Sequence, residues 1–208
     1  RYALLNAHYR NPIDVSEQLL DDAKGNQRKL SEIYGQAIIS KEQGEALAPL
    51  PPLPSGDITS SEYLTQRIGV IESLAEEAAR ALDDDLNSRL ALSKVQAGAK
   101  IISEVLNSEK IDESDTASFA SFSIDWIEEI AGLILGVLPS KEIAKAIFDP
   151  RLDPRRVAIR DEVESLLARR SIARHAKDWM AADEIRDRLV QMGVEVKDTP
   201  DGVEWSLK

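Results

Sequence analysis

Nine prolines stand at only five places in these 208 residues. Proline fixes φ and lacks an N–H, so a helix does not run through it undisturbed. The breaks fall at Asn11-Pro12, in APLPPLPSGD (48–57), at Pro139-Ser140, in DPRLDP (149–154) and in TPDG (199–202). Between the first four, apolar residues recur at three- and four-residue spacing, the helical period. The chain is therefore constrained to a series of helices joined at fixed points.

Residues 1 to 10 read as the end of a helix, with Leu4, Leu5, His8 and Tyr9 at helical spacing. Asp14 or Ser16 caps a second helix to about Ser40, with Leu19, Leu20, Ala23, Leu30, Ile33, Tyr34, Ala37 and Ile38 roughly on one side. Thr59-Ser60-Ser61-Glu62 is a capping box that opens a helix to about Leu82. Asp83 to Asn87 interrupts it, and a further helix reaches about Asn107 through Leu90, Val95, Ile101, Ile102, Val105 and Leu106. The aspartates lack the alternating ligands and glycine of a calcium loop and read as a solvated junction with Asn87 as cap. Ser108 to Ser118 reads as a polar loop. Phe119, Phe122, Trp126, Ile130 and Leu133 form an apolar face through to Leu138, and Ser140 to Phe148 is a short amphipathic helix.

Two helices are expected after DPRLDP, at about 156–171 and 176–192, the second closed by Gly193. The period then changes from 3.6 to 2. GVEVKD and GVEWSL alternate on either side of a TPDG turn, which is the pattern of a β-hairpin. The expected fold is mostly α: an antiparallel helical bundle followed by a small α+β module of two helices and a β-hairpin. Its segments are residues 1–40 as a junction and first bundle helix, 41–58 as a linker, 59–148 as the bundle and 149–208 as the terminal module.

Charge narrows the function. The net charge of −11 argues against a general duplex-DNA binder, since phosphate neutralisation dominates such binding. The charge is uneven: residues 150–208 hold 12 Lys and Arg against 12 Asp and Glu, so residues 1–149 carry the whole deficit. Pro150 to Trp179 has 8 basic and 5 acidic residues, so the last quarter of the chain is where a polyanion is expected to bind, if one binds. There is no cysteine, which removes disulfides, thiol catalysis and cysteine-ligated zinc. The ten-residue run Ile130 to Pro139 is about half of what a bilayer span needs, so no membrane partner is expected. The opening RYALLNAHYR reads as the interior of an apolar element, and the expectation is a piece of a longer, cytoplasmic protein.

Three stretches carry a resemblance. LLNAHYRNPIDVS (4–16) resembles the segment that follows the catalytic domain in cysteinyl-tRNA synthetases. ALDDDLNSRLAL (81–92) resembles that family's helical domain, and ARHAKDWMAADEIRDRLVQMGVEVKDTPDGVEWSL (173–207) is similar to its extreme C-terminus. They occur in the family's order, and the tail is the specific one. The resemblance implies a class I, ATP-dependent cysteine ligase as the parent protein. It also implies that this chain is the tRNA-binding C-terminal part. The HIGH and KMSKS signatures of the ATP site are absent from the sequence, as is the cysteine on which the family's zinc relies. ATP and zinc are expected in the catalytic domain, no cofactor is expected in this chain, and the chain alone is expected to be inactive. The implied partners are cysteine tRNA and the catalytic domain, on which a monomeric chain packs.

The candidate site lies in the tail. Trp179 and Asp183 are four apart and share a helix face, and Arg174 stands just before that helix. Tryptophan offers a face to an unpaired base, and arginine and aspartate can bond base edges. An anticodon presents such bases, splayed and with free edges. The resemblance assigns anticodon contact to Arg174, Trp179, Asp183 and Asp198. The competing reading has Trp179 packing two helices together, Asp183 paired with Arg186 or Arg188, and Asp198 bonding its own turn. Arg155, Arg156, Arg169, Arg170 and Lys177 are candidates for the tRNA backbone, with surface ion pairing as their alternative. Trp205 reads as core, and Arg10 as part of a hinge network, with contact to the tRNA backbone as its alternative. Two other functions compete: a helical protein-interaction module without RNA, and a relative that joins cysteine to a small amine. Neither needs the tail's Arg/Trp/Asp arrangement.

Overall fold

The computed structural model describes residues 1–7, 10, 12–46, 60–199 and 202–207. His8, Tyr9, Asn11, the linker residues 47–58, Thr59 of the expected capping box, and Pro200 and Asp201 of the turn lie outside them. Two compact units are present, Arg1–Pro150 and Arg151–Lys208.

The first unit contains α1 (Tyr2–Leu5), α2 (Glu17–Ala46), α3 (Ser60–Asp83), α4 (Ser88–Leu106), α5 (Glu113–Ile127), a π-helical segment (Glu128–Ile134) and α6 (Lys141–Phe148). Ser16, and not Asp14, starts α2: its Oγ accepts from the Leu19 N–H at 3.2 Å. The helix continues six residues past Ser40. Lys41 to Ala46 holds good helix formers apart from Gly44, and the first proline comes only at position 49. α2 packs against α4, α5 and α6, and α3 pairs with α4 as a helical hairpin. At their junction Asn87 caps α4 by accepting from the Leu90 N–H at 3.1 Å, and Arg10 ion-pairs with Asp85 at 2.8 Å.

Of the stretch expected as a polar loop, residues 108–112 are loop and residues 113–118 are already helix. Asp112 caps α5 by accepting from the Asp115 N–H at 2.7 Å. Glu113 and Asp115 then occupy the first turn, where the helix dipole favours acidic groups. Phe119 and Trp126 are buried, as the aromatic pattern predicts. After Ile127 the hydrogen bonding widens to five residues, as in Leu135 N–H to Ile130 O. The wider turn rotates the apolar stripe. Ile130, Ala131 and Leu135 stay buried, while Leu133, expected in the core, is 84% exposed. Leu20 and Leu90, also expected to face inward, are exposed; each lies in the first turn of its helix, ahead of the turns that reach the core.

Glu128 opens the π-helical segment and accepts hydrogen bonds from Tyr34 Oη and from Lys141 Nζ, the latter at 2.8 Å. Burial opposes its charge, but the bonds from Lys141 and Tyr34 outweigh it and hold the carboxyl below its usual range. The Tyr34 hydroxyl is pushed up, by burial first and then by Glu128.

The second unit contains α7 (Pro154–His175), α8 (Trp179–Gln191) and the antiparallel strands β1 (Val194–Thr199) and β2 (Gly202–Leu207). Asp153 caps α7 by accepting from the Arg155 N–H at 2.8 Å, and Pro154 takes the first helical position, where its missing N–H costs nothing. α7 thus starts two residues earlier and ends four residues later than expected. Gly193, at φ +74°, turns the chain from α8 into β1. Val163, Leu166, Leu189 and Val194 form the small core, with Ile159, Ile185, Val196, Trp205 and Leu207 around it. Arg188 bridges from α8 to Glu162 on α7 at 2.7 Å. Among the described residues, no helix of either unit is long and apolar enough to cross a membrane.

Candidate nucleic-acid interface

The turn between α7 and α8 decides where the tail's tryptophan goes. α7 ends with the Asp178 N–H on Ala173 O at 2.9 Å and the Lys177 N–H on Arg174 O at 3.1 Å. This closure requires a left-handed residue after the cap, and Lys177 supplies it at φ +60°, where glycine is usual. Asp178 then caps α8, accepting from the Ala181 N–H at 3.1 Å. The second helix therefore starts at Trp179, three residues later than periodicity suggests. A side chain at the first helical position points back past the helix end, with no earlier turn to cover it. Trp179 is 60% exposed and Met180 76% exposed.

Asp183 lies one turn further along α8, on the Trp179 side, and is exposed. Among the described residues it has no hydrogen-bond or ion-pair partner. Arg188, one of its candidate partners, is engaged by Glu162. Arg174 is exposed in the last turn of α7, so it precedes the connection and not the second helix directly. Arg174 thus stands in the last turn before the connection, and Trp179 and Asp183 on the first two turns after it. Asp198 sits in β1 with its backbone opposite Val203; its side chain lies outside the described residues.

The basic residues separate into different environments. Arg155 is held by Asp153 through Nη2 at 2.9 Å and Nε at 3.3 Å. These bonds keep the Asp153 carboxyl below its usual range. Arg156 lies over the Trp205 ring, 4.3 Å from the centroid, and Trp205 is half-buried against the small core. Arg170 is half-buried and, with Arg186, borders Leu189, Val194 and Val196. Arg169 and Lys177 are exposed. Sequence reasoning did not assign Ile172, at 69% exposure, or His175, whose Nδ1–H donates to Ser171 O at 2.8 Å. Both flank the same turn. Their place becomes visible only once the turn is fixed at residues 176–178, and periodicity does not fix it.

Residues 156–205 match the sequence profile of the cysteinyl-tRNA ligase anticodon binding domain. The whole chain is similar to cysteine–tRNA ligases. It is 32% identical over 213 residues to that of Geotalea daltonii, covering 100% of this chain and 42% of the relative. It is 34% identical over 219 residues to that of Geobacter sulfurreducens, covering 100% and 40%. With the enzyme of Halorhodospira halophila the figures are 32% over 208 residues, 99% and 36%. The chain thus spans about two fifths of the length of the curated relatives it matches. It belongs to the cysteine–tRNA ligase family, corresponding to the C-terminal part of those enzymes, with the anticodon binding domain at residues 156–205.

Proposed function

We propose that this chain binds cysteine tRNA and reads its anticodon at the α7–α8 turn, as the recognition part of a cysteine–tRNA ligase. The observation that carries the reading is the exposed Trp179 ring at the first position of α8, inside the matched anticodon binding domain. A buried indole could not stack on a base; this one can. Asp183 on the next turn accepts base N–H groups. Arg174 donates to base edges or phosphate. Asp198, which the resemblance assigns to the anticodon, is a further candidate on the strand β1. Arg169 and Lys177 supply phosphate contacts that position the RNA without reading it. Arg155 and Arg170 are weaker candidates, because the first is tied to Asp153 and the second is half-buried. Aminoacylation belongs to the parent protein, whose ATP and zinc sites would lie outside this sequence.

The test is a titration of the chain with cysteine tRNA and with the same tRNA carrying a changed anticodon. Trp179→Ala should weaken binding of the matched tRNA by about 5- to 150-fold, the worth of one stacked base, with the thermal midpoint unchanged because the ring is exposed. Equal affinity for both tRNAs would sink the anticodon reading and favour a protein-interaction module.

A second expected result separates strain from charge at the turn. Lys177→Gly removes a left-handed non-glycine residue and should stabilise the second unit by about 1 kcal/mol. It also removes a phosphate contact, so tRNA affinity should fall and the slope of log affinity against log salt should shrink by about 1. Urea unfolding and a salt series read the two effects independently. An unchanged slope would remove Lys177 from the interface.

A further inference from the structure

We infer that the cavity between α7, α8 and β1 takes one nucleotide of the bound RNA, with its base in the apolar hollow and its phosphate on Arg186. The inference rests on the reading of this chain as an anticodon reader. It adds a subsite for a nucleotide neighbouring the one stacked on Trp179. The cavity measures about 250 Å³ and is walled by Leu189, Val190, Val194 and Val196, with Arg170 and Arg186 among its lining. Glu195 also borders it, but strand alternation sends that side chain to the face opposite Val194 and Val196. Whole-ligand sites usually hold about 300–1,000 Å³, so this hollow suits a single planar ring system.

An apolar hollow edged by guanidinium groups matches both halves of a nucleotide. A base splayed out of a loop lies against apolar side chains or a guanidinium plane, and its phosphate takes charge-assisted bonds. Arg170, half-buried in the wall, offers its plane to the base. Arg186 is exposed, and among the described residues no carboxylate engages it, so its fork is open to a phosphate. Placement joins the cavity to the stacking site. On α8, Trp179, Asp183 and Arg186 follow at i, i+4 and i+7 and share one face. On α7, Arg170 and Arg174 stand four apart and share a face as well. The two helices pack against each other across their short connection. Both rows therefore run from the α7–α8 turn to the cavity, about 10 Å along α8. A strand with one base on Trp179 has its next subsite in line. An apolar peptide side chain would also fill the hollow, but it leaves the row of base-reading groups that leads there without a purpose.

A nucleotide scan with the 208-residue chain and cysteine tRNA tests this. Arg186→Gln should lower affinity at least about tenfold, the worth of a charge-assisted hydrogen bond. It should also reduce the slope of log affinity against log salt by about 1. Its thermal midpoint should stay unchanged, since the side chain is exposed. Removing single bases from the anticodon loop then locates the occupant. One abasic position should weaken binding to the unsubstituted and Trp179→Ala chains. The same position should have no further effect on Val190→Glu, which puts a carboxylate at a 56% exposed edge of the cavity. Unchanged affinity and slope in Arg186→Gln, with discrimination between matched and changed anticodons intact, would overturn the inference and leave the anticodon reading standing. So would a scan in which every abasic position weakens Val190→Glu as much as the unsubstituted chain, since the hollow would then be left to a protein side chain. Equal affinity of the unsubstituted chain for both tRNAs refutes the anticodon reading itself, so the two failures are distinguishable.

Discussion

Gly35→Ala should destabilise the first unit by about 3 kcal/mol, at the upper end for an overpacked site. Mid-helix glycine normally gains about 1 kcal/mol when replaced by alanine, so the expected sign is the reverse of the local rule. The reason is contact between backbones. A Cβ on Gly35 would lie 2.1 Å from Ala144 O and 2.7 Å from its carbonyl carbon, with Phe148 Cβ at 3.0 Å. No rotamer relieves this, because the obstacle is main chain; α6 has to move off α2. Gly25 on the same helix meets nothing within 4 Å, so Gly25→Ala should stabilise by about 0.5–1 kcal/mol. Thermal melts of the two variants by circular dichroism should bracket the unsubstituted protein, with Gly35→Ala lower by about 10 °C. If both alanines stabilise equally, the close approach of α2 and α6 is wrong.

Leu189→Ala carries the second large effect, and it bears on function. Leu189 is 1% exposed at the centre of a core of four buried residues, with Val163, Leu166 and Val194. Truncating a buried leucine costs about 2–5 kcal/mol. A unit of roughly 60 residues holds only about 3–9 kcal/mol in total, so this one change removes a large share. Amide exchange should rise across residues 154–207 while residues 88–127 keep their protection, and cysteine tRNA affinity should fall with it. Met180→Ala, at a 76% exposed position, is the control that leaves exchange unchanged. Retained protection in the Leu189 variant would mean that the hairpin and helices are held by something other than this core.

The helix breaks, the switch of period after Gly193 and the hairpin were legible because each is written in neighbouring residues. Proline removes a donor, glycine reaches φ +74°, and a period of 2 admits only a strand. The caps at Asn87 and Gly193 were legible for the same reason. Asp112 was missed because polar residues at a helix start look like a loop when no apolar stripe accompanies them. The candidate site was half legible. Spacing put Trp179 and Asp183 on one face, but it set the helix start too early and left open whether the ring is buried.

The sequence by itself determined the order and kind of the elements, and through its tail the family to which the chain belongs. Those are properties of backbone freedom and of residue identity at fixed intervals. Only the tertiary structure decided that Trp179 faces solvent and Leu133 turns outward, and that Arg155 and Arg156 are taken up by Asp153 and Trp205. Each of these depends on geometry that the period does not carry: a cap three residues late, a widened helical turn, a carboxylate two residues away at the start of α7, a ring from across the module. Periodicity records which face of an element is apolar. It does not record what the rest of the chain brings against that face.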